Sequence, residues 1–93
     1  MEKSIYLPEY AVFLRQLRAC RQAAGLTQAE LAARLGATQS FVSKCERGER
    51  RLDVVELRAF CQALGVGLSE FTQEFEQSLP APHRAQRGRA RPG

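Results

Sequence analysis

The chain has 93 residues and a 44% apolar share, enough for one small domain near the lower limit of a self-sufficient core. No apolar run approaches the roughly 18 residues of a transmembrane helix, and three cysteines without CxxC or Cys/His spacing beside one histidine exclude a metal site of familiar pattern. The net charge of +4 is unevenly spread: residues 15–51 carry eight basic and three acidic residues, residues 52–79 one basic and five acidic, and the tail from Pro80 holds Arg84, Arg87, Arg89 and Arg91 with no acid. A chain with one phosphate-facing side shows such a polarity, and so does an ordinary solvated mixture of charges.

Met1–Pro8 reads as a short arm, in which Ser4-Ile5-Tyr6-Leu7 has some strand propensity and Pro8 keeps its predecessor out of a helix. The opening MEKSIYLPEY lacks the apolar core of a signal peptide, so a cytoplasmic protein is expected. Helix 1 starts at Glu9, an acid near the positive end of the dipole, and runs to about Ala24. Phe13, Leu17, Cys20 and Ala24 share one face, with Leu14 beside it, while Arg15, Arg18 and Gln22 lie on the polar side. Gly25 stops the helix.

Thr27 and Glu30 form a capping box that opens helix 2. Leu31 and Leu35 give it an apolar side, Ala32 lets a neighbouring helix approach closely, and Gly36 ends it. Thr38 caps helix 3, which Val42 and Cys45 anchor on the core. At about 100° per residue, Ser40, Ser43, Lys44 and Arg47 point away from those anchors, and Gln39 projects from the helix start.

The segment Arg47-Gly48-Glu49-Arg50-Arg51 is a basic turn. Asp53 with Glu56 is a second capping box, opening helix 4, whose apolar face is Val54, Leu57, Cys61 and Leu64 supported by Phe60. Gly65 and Gly67 break the chain; Ser69 is expected to cap helix 5, where Phe71, Phe75 and Leu79 share a face. Five helices with short connections and no strand-period segment give a compact all-α domain over residues 9–79. Residues 80–93 have no aliphatic side chain larger than Ala, and a disordered basic tail is expected there.

A helix anchored on one side, with amide, hydroxyl and cationic groups on the other, suits the major groove of DNA. The segment resembles the helix-turn-helix of the Cro and lambda-repressor (xenobiotic response element) family of bacterial and phage regulators. The resemblance is carried by Gly25-Leu26-Thr27-Gln28, Glu30-Leu31-Ala32, Leu35-Gly36, Gln39-Ser40, Ser43-Lys44, Glu46-Arg47-Gly48 and Ala63-Leu64-Gly65-Val66, and covers roughly Leu14 to Phe71. It implies a lambda-repressor-like DNA-binding domain, with Thr38, Gln39, Ser40, Ser43 and Lys44 as candidate base readers. An amide such as that of Gln39 can pair with adenine N6 and N7, and Lys44 can reach guanine or only a phosphate.

The same resemblance makes Gln28, Arg18, Arg47, Arg50 and Arg51 candidates for gripping the DNA backbone, and pairs Arg21 with Glu46 in a structural salt bridge. Each of the exposed candidates also has a plain reading as solvated surface. Phe41 either packs under helix 2 or presses against a sugar or thymine methyl. The tail stretch Arg87-Gly88-Arg89-Ala90-Arg91-Pro92 only loosely resembles a minor-groove hook, and non-specific phosphate attraction suits it better.

The resulting expectation is a sequence-specific regulator of double-stranded DNA, a repressor, working as a homodimer on an inverted repeat with half-sites about one helical turn apart, roughly 34 Å. Candidate dimer contacts are Ile5, Tyr6, Leu7, Phe71, Phe75 and Leu79, which otherwise close the monomer's own core. No catalytic residue, cofactor, metal or small-molecule ligand is expected, and Cys20, Cys45 and Cys61 read as small buried hydrophobes or as an oxidisable pair. An antitoxin or a restriction–modification controller would use the same fold. A protein-interaction module that reuses the scaffold without DNA is the competing class.

Overall fold

The computed structural model describes residues 8–80; of the expected arm 1–8 and tail 80–93, residues 1–7 and 81–93 lie outside the described residues, and Pro8 belongs to the first helix. The first helix, α1 (Pro8–Ala23), opens on Pro8, whose missing N–H costs nothing in a first turn. It ends one residue earlier than the apolar periodicity implies. Ala24 is exposed in the following turn, where Gly25 takes a φ of +74°. The inward stripe of α1 is therefore the fully buried Leu17 flanked by partly buried Phe13 and Cys20, without Ala24.

The next two helices, α2 (Gln28–Leu35) and α3 (Gln39–Glu46), follow with one tight turn between them. The Thr27 hydroxyl accepts from the Glu30 N–H at 3.0 Å, and the Glu30 carboxylate accepts from the Thr27 N–H at 2.9 Å. At the other end Gly36 is left-handed, at φ +69°, so its N–H and that of Ala37 reach back to the last carbonyls of α2. Thr38 restarts the helix by accepting from the Phe41 N–H at 3.1 Å.

The Asp53–Glu56 box opens α4 (Val54–Leu64): the Asp53 carboxylate accepts from the Glu56 N–H at 2.7 Å, and the Glu56 carboxylate from the Asp53 N–H at 2.9 Å. Leu57, Phe60, Cys61 and Leu64 face inward, but Val54 does not belong with them. It is 63% exposed, on the rim of a groove that it lines with Tyr10, Phe13, Leu52, Leu57 and Phe75. The last helix, α5 (Leu68–Ser78), is capped by Gly67 rather than by Ser69. Leu68 packs on the core and begins the helix two residues earlier than a Ser69 cap implies, and Glu70 reaches back to accept from the Gly67 N–H at 3.1 Å. Ser69 then sits inside the first turn.

Each helix contributes to one core: Leu17 from α1, Leu31 and Ala32 from α2, Val42 and Cys45 from α3, Leu57, Phe60, Cys61 and Leu64 from α4, and Phe71 from α5. Two polar ties join helices that are distant in sequence. The buried Gln16 amide donates to the Phe71 carbonyl at 2.8 Å, and Arg34 Nη1 donates to the Ala63 carbonyl at 2.9 Å near the end of α4. The described residues are all-α, and α3 rests on α1 and α2 with its other side outward.

Candidate nucleic-acid interface

The position of α3 is fixed at its C-terminal end by one buried carboxylate. Glu46 is 3% exposed and accepts from Arg21 Nε at 2.6 Å, from Arg21 Nη2 at 3.1 Å and from the Gln28 amide at 3.0 Å. Arg21 Nη1 also donates to the Leu26 carbonyl at 2.9 Å. A buried carboxylate is tolerable only when paired and hydrogen-bonded. Here those partners come from α1 and from the first residue of α2, so satisfying the charge also sets the angle between the helices.

With that end tied down, the anchors Val42 and Cys45 are fully buried and the opposite face is presented outward. Gln39, Ser40 and Lys44 are exposed, while Ser43 is half-buried and accepts from Arg47 Nη1. The Thr38 hydroxyl is occupied as the α3 cap at the same edge of the face. Thr38, Ser40, Lys44, Phe41 and Arg50 line one surface recess. Of the five candidates, Gln39, Ser40, Ser43 and Lys44 lie on α3 and Thr38 at its N-cap.

Phe41 packs on the core while one side of it lines that recess. It lies partly buried against the core with its ring 6.2 Å from that of Phe60, and the Arg50 guanidinium covers it at 5.3 Å. Arg50 also pairs with Glu56 at 2.5 Å and donates to the Arg51 carbonyl. Arg51 stands 5.4 Å from the ring centre of Tyr10. Arg47 is bound by Glu49 through two hydrogen bonds, at 2.9 and 3.1 Å. These contacts hold the Glu56 and Glu49 carboxyls below the usual carboxylate range, the hydrogen bond from the partner arginine being the main cause in each.

Of the five backbone candidates, Gln28 starts α2, Arg47 and Arg50 follow Glu46 beside α3, and Arg51 in the same turn lies against Tyr10 of α1. Gln28 donates one amide N–H to Glu46, so part of its side chain is committed to holding α3. Arg18 stands apart, half-buried on α1 and without a hydrogen bond to the other candidates among the described residues. Of the expected dimer contacts, Phe71 is 2% exposed in the protomer's own core, Phe75 is half-buried on α5, and Leu79, expected on the same helix face, is half-buried but extended just past the last helical residue, Ser78. Ile5, Tyr6 and Leu7 lie outside the described residues.

Sequence reasoning missed Glu49 and Glu56 as partners of the turn arginines. The i, i+2 spacing of Arg47 and Glu49 was the available signal, but it becomes a contact only because Gly48, at φ +82°, turns the chain back on the end of α3. The Arg50–Glu56 pair crosses from the turn to α4 and has no local signature.

A family model described as a helix-turn-helix domain matches residues 12–72. Over 58 residues the chain is 40% identical to the uncharacterized HTH-type transcriptional regulator y4dJ of Sinorhizobium fredii, covering 62% of this chain and 75% of that protein. A solved structure of an XRE-family like protein from Pseudomonas syringae pv. tomato is similar with a TM-score of 0.75 at 47% identity, over 85% of this chain and 96% of that one. The clp gene regulator ClgR from Corynebacterium glutamicum is similar with a TM-score of 0.69 at 28% identity, over 91% of this chain and 89% of that one.

Proposed function

The chain belongs to the XRE/Cro-type helix-turn-helix family of transcriptional regulators, not to an enzyme family, and from that premise we propose that it reads double-stranded DNA in a sequence-specific way as a small cytoplasmic repressor. The observation that carries the proposal is the outward face of α3. Gln39, Ser40 and Lys44 are exposed on a helix whose other side is locked to α1 and α2 by Arg21, Glu46 and Gln28. A rigidly mounted helix with a free polar face is what base-edge recognition needs, because a loose helix would lose the alignment of bidentate contacts.

In this reading Gln39, Ser40, Ser43 and Lys44, with Thr38 at the helix start, face base edges. Gln28, Arg47, Arg50, Arg51 and Arg18 face phosphates. One short helix spans few base pairs, so two copies on an inverted repeat supply the specificity, half-sites lying about 34 Å apart. Phe75 and Leu79 at the end of α5, with Ile5, Tyr6 and Leu7 of the arm, are the surfaces we assign to pairing between copies; Phe71 serves the core of each copy. Selection of duplexes from a random pool by the purified protein tests this. Enrichment of an inverted repeat supports the proposal, and enrichment of nothing counts against it.

A further inference from the structure

Residues 15–51 contain three acids, and two of them have structural work: Glu46 is the buried partner of Arg21, and Glu30 closes the capping box at Thr27. Glu49 has neither role. It stands in solvent beside the end of α3, its side chain 56% exposed, and its carboxylate grips Arg47 with both oxygens. The Glu49 N–H donates to the Lys44 carbonyl at 2.9 Å, which fixes the residue next to the reading face. Its carboxyl is held below the usual range first by the Arg47 hydrogen bond, then by the Arg47 charge, with a further contribution from Lys44.

Two parallel N–H···O bonds from one guanidinium to two oxygens are also the way an arginine grips a phosphate. We propose that Glu49 is a built-in phosphate mimic: it occupies the Arg47 guanidinium in the free protein, and its charge opposes the DNA strand that replaces it. The proposal rests on the DNA-binding reading above and deepens it by naming a residue that limits sequence-independent affinity. An exposed ion pair is weak, so a phosphate can displace the carboxylate. The displaced carboxylate remains close to the strand, and one fewer phosphate is neutralised than the count of arginines implies. Glu56 holds Arg50 in a similar way, but it also caps α4, so only Glu49 separates this effect from folding.

The opposite reading is that Glu49 positions Arg47 for DNA, and the two readings differ in sign. The test is a titration of a labelled mixed-sequence duplex with wild type, Glu49→Gln, Arg47→Gln and the double variant over a series of KCl concentrations, with thermal melts alongside. We expect Glu49→Gln to melt as wild type and to bind about two- to fivefold more tightly. Its log–log salt slope should steepen by about 0.9, one additional phosphate. In the Arg47→Gln background the same substitution should lose the part of that gain that comes from freeing Arg47 and keep the part that comes from removing the Glu49 charge. Binding that is unchanged or weakened by Glu49→Gln, with wild type binding the duplex, overturns this proposal alone. A wild type that binds no duplex overturns the DNA reading together with it.

Discussion

Glu46 closes the helix that faces outward, yet its carboxylate lies inside the protein, 2.6 Å from Arg21 Nε on α1. That contact ties the end of α3 to α1, beside the buried anchors Val42 and Cys45. Glu46→Ala would leave the Arg21 guanidinium, itself 12% exposed, without its counter-charge. The expected loss is about 3 kcal/mol of unfolding free energy in a urea titration. Equal stability of variant and wild type would show that the pair does not hold α3.

The turn between α2 and α3 makes a separate prediction. Gly36 has φ +69°, and a Cβ built on it meets nothing within 4 Å, so alanine there costs backbone strain and nothing else. Gly36→Ala should destabilise the domain by about 1–2 kcal/mol, seen as a lower melting temperature. A variant that melts with wild type would mean the turn does not need the left-handed conformation.

Much of this arrangement was legible in the sequence because local rules point to it. Thr27 with Glu30, Asp53 with Glu56, and Gly36 and Gly65 mark helix ends by hydrogen bonds made within a few residues, and the structure forms them. Leu31, Val42, Cys45 and Leu57 follow from the 3.6-residue period. What failed was decided by tertiary context. Val54 fits the period of α4 but projects past the core, and Ser69 is a good cap residue displaced by the packing of Leu68. The outward face of α3 could be read from the period, whereas the carboxylates that occupy Arg47 and Arg50 required the turn geometry.

Burial of the thiols gives a pH dependence. The Cys45 thiol is fully buried and desolvation pushes it up to about 11, against an ordinary value of 9.0. The native state therefore holds this proton more tightly than the unfolded chain. The associated stability is fully present below about pH 9 and is lost as pH rises through about 11, on the order of 2 kcal/mol in all. Urea unfolding from pH 8 to 11 should show this loss in wild type and less of it in Cys45→Ala, compared by slope against pH. Parallel slopes would assign the loss to other groups.

Pairing between copies is tested at Phe75. Its ring packs edge-on against Phe13 at 6.2 Å and remains half-buried, so a charge there should be tolerated by the fold better than one at Phe71. Phe75→Glu is expected to shift sedimentation from dimer to monomer while unfolding stays cooperative. A wild type that sediments as a monomer would contradict the homodimer, and a variant that remains dimeric would place the interface elsewhere.

The most direct measurement is an anisotropy titration of the duplex enriched by selection, and of a mixed-sequence duplex, with wild type and with Gln39→Ala/Lys44→Ala at two salt concentrations. The expected result is selective loss. The double variant should give up about 1–3 kcal/mol for each base contact removed on the enriched duplex, while its binding to the mixed sequence falls much less. Equal, weak and strongly salt-dependent binding to both duplexes by both proteins would mean that the contact is electrostatic only, and that α3 does not read DNA.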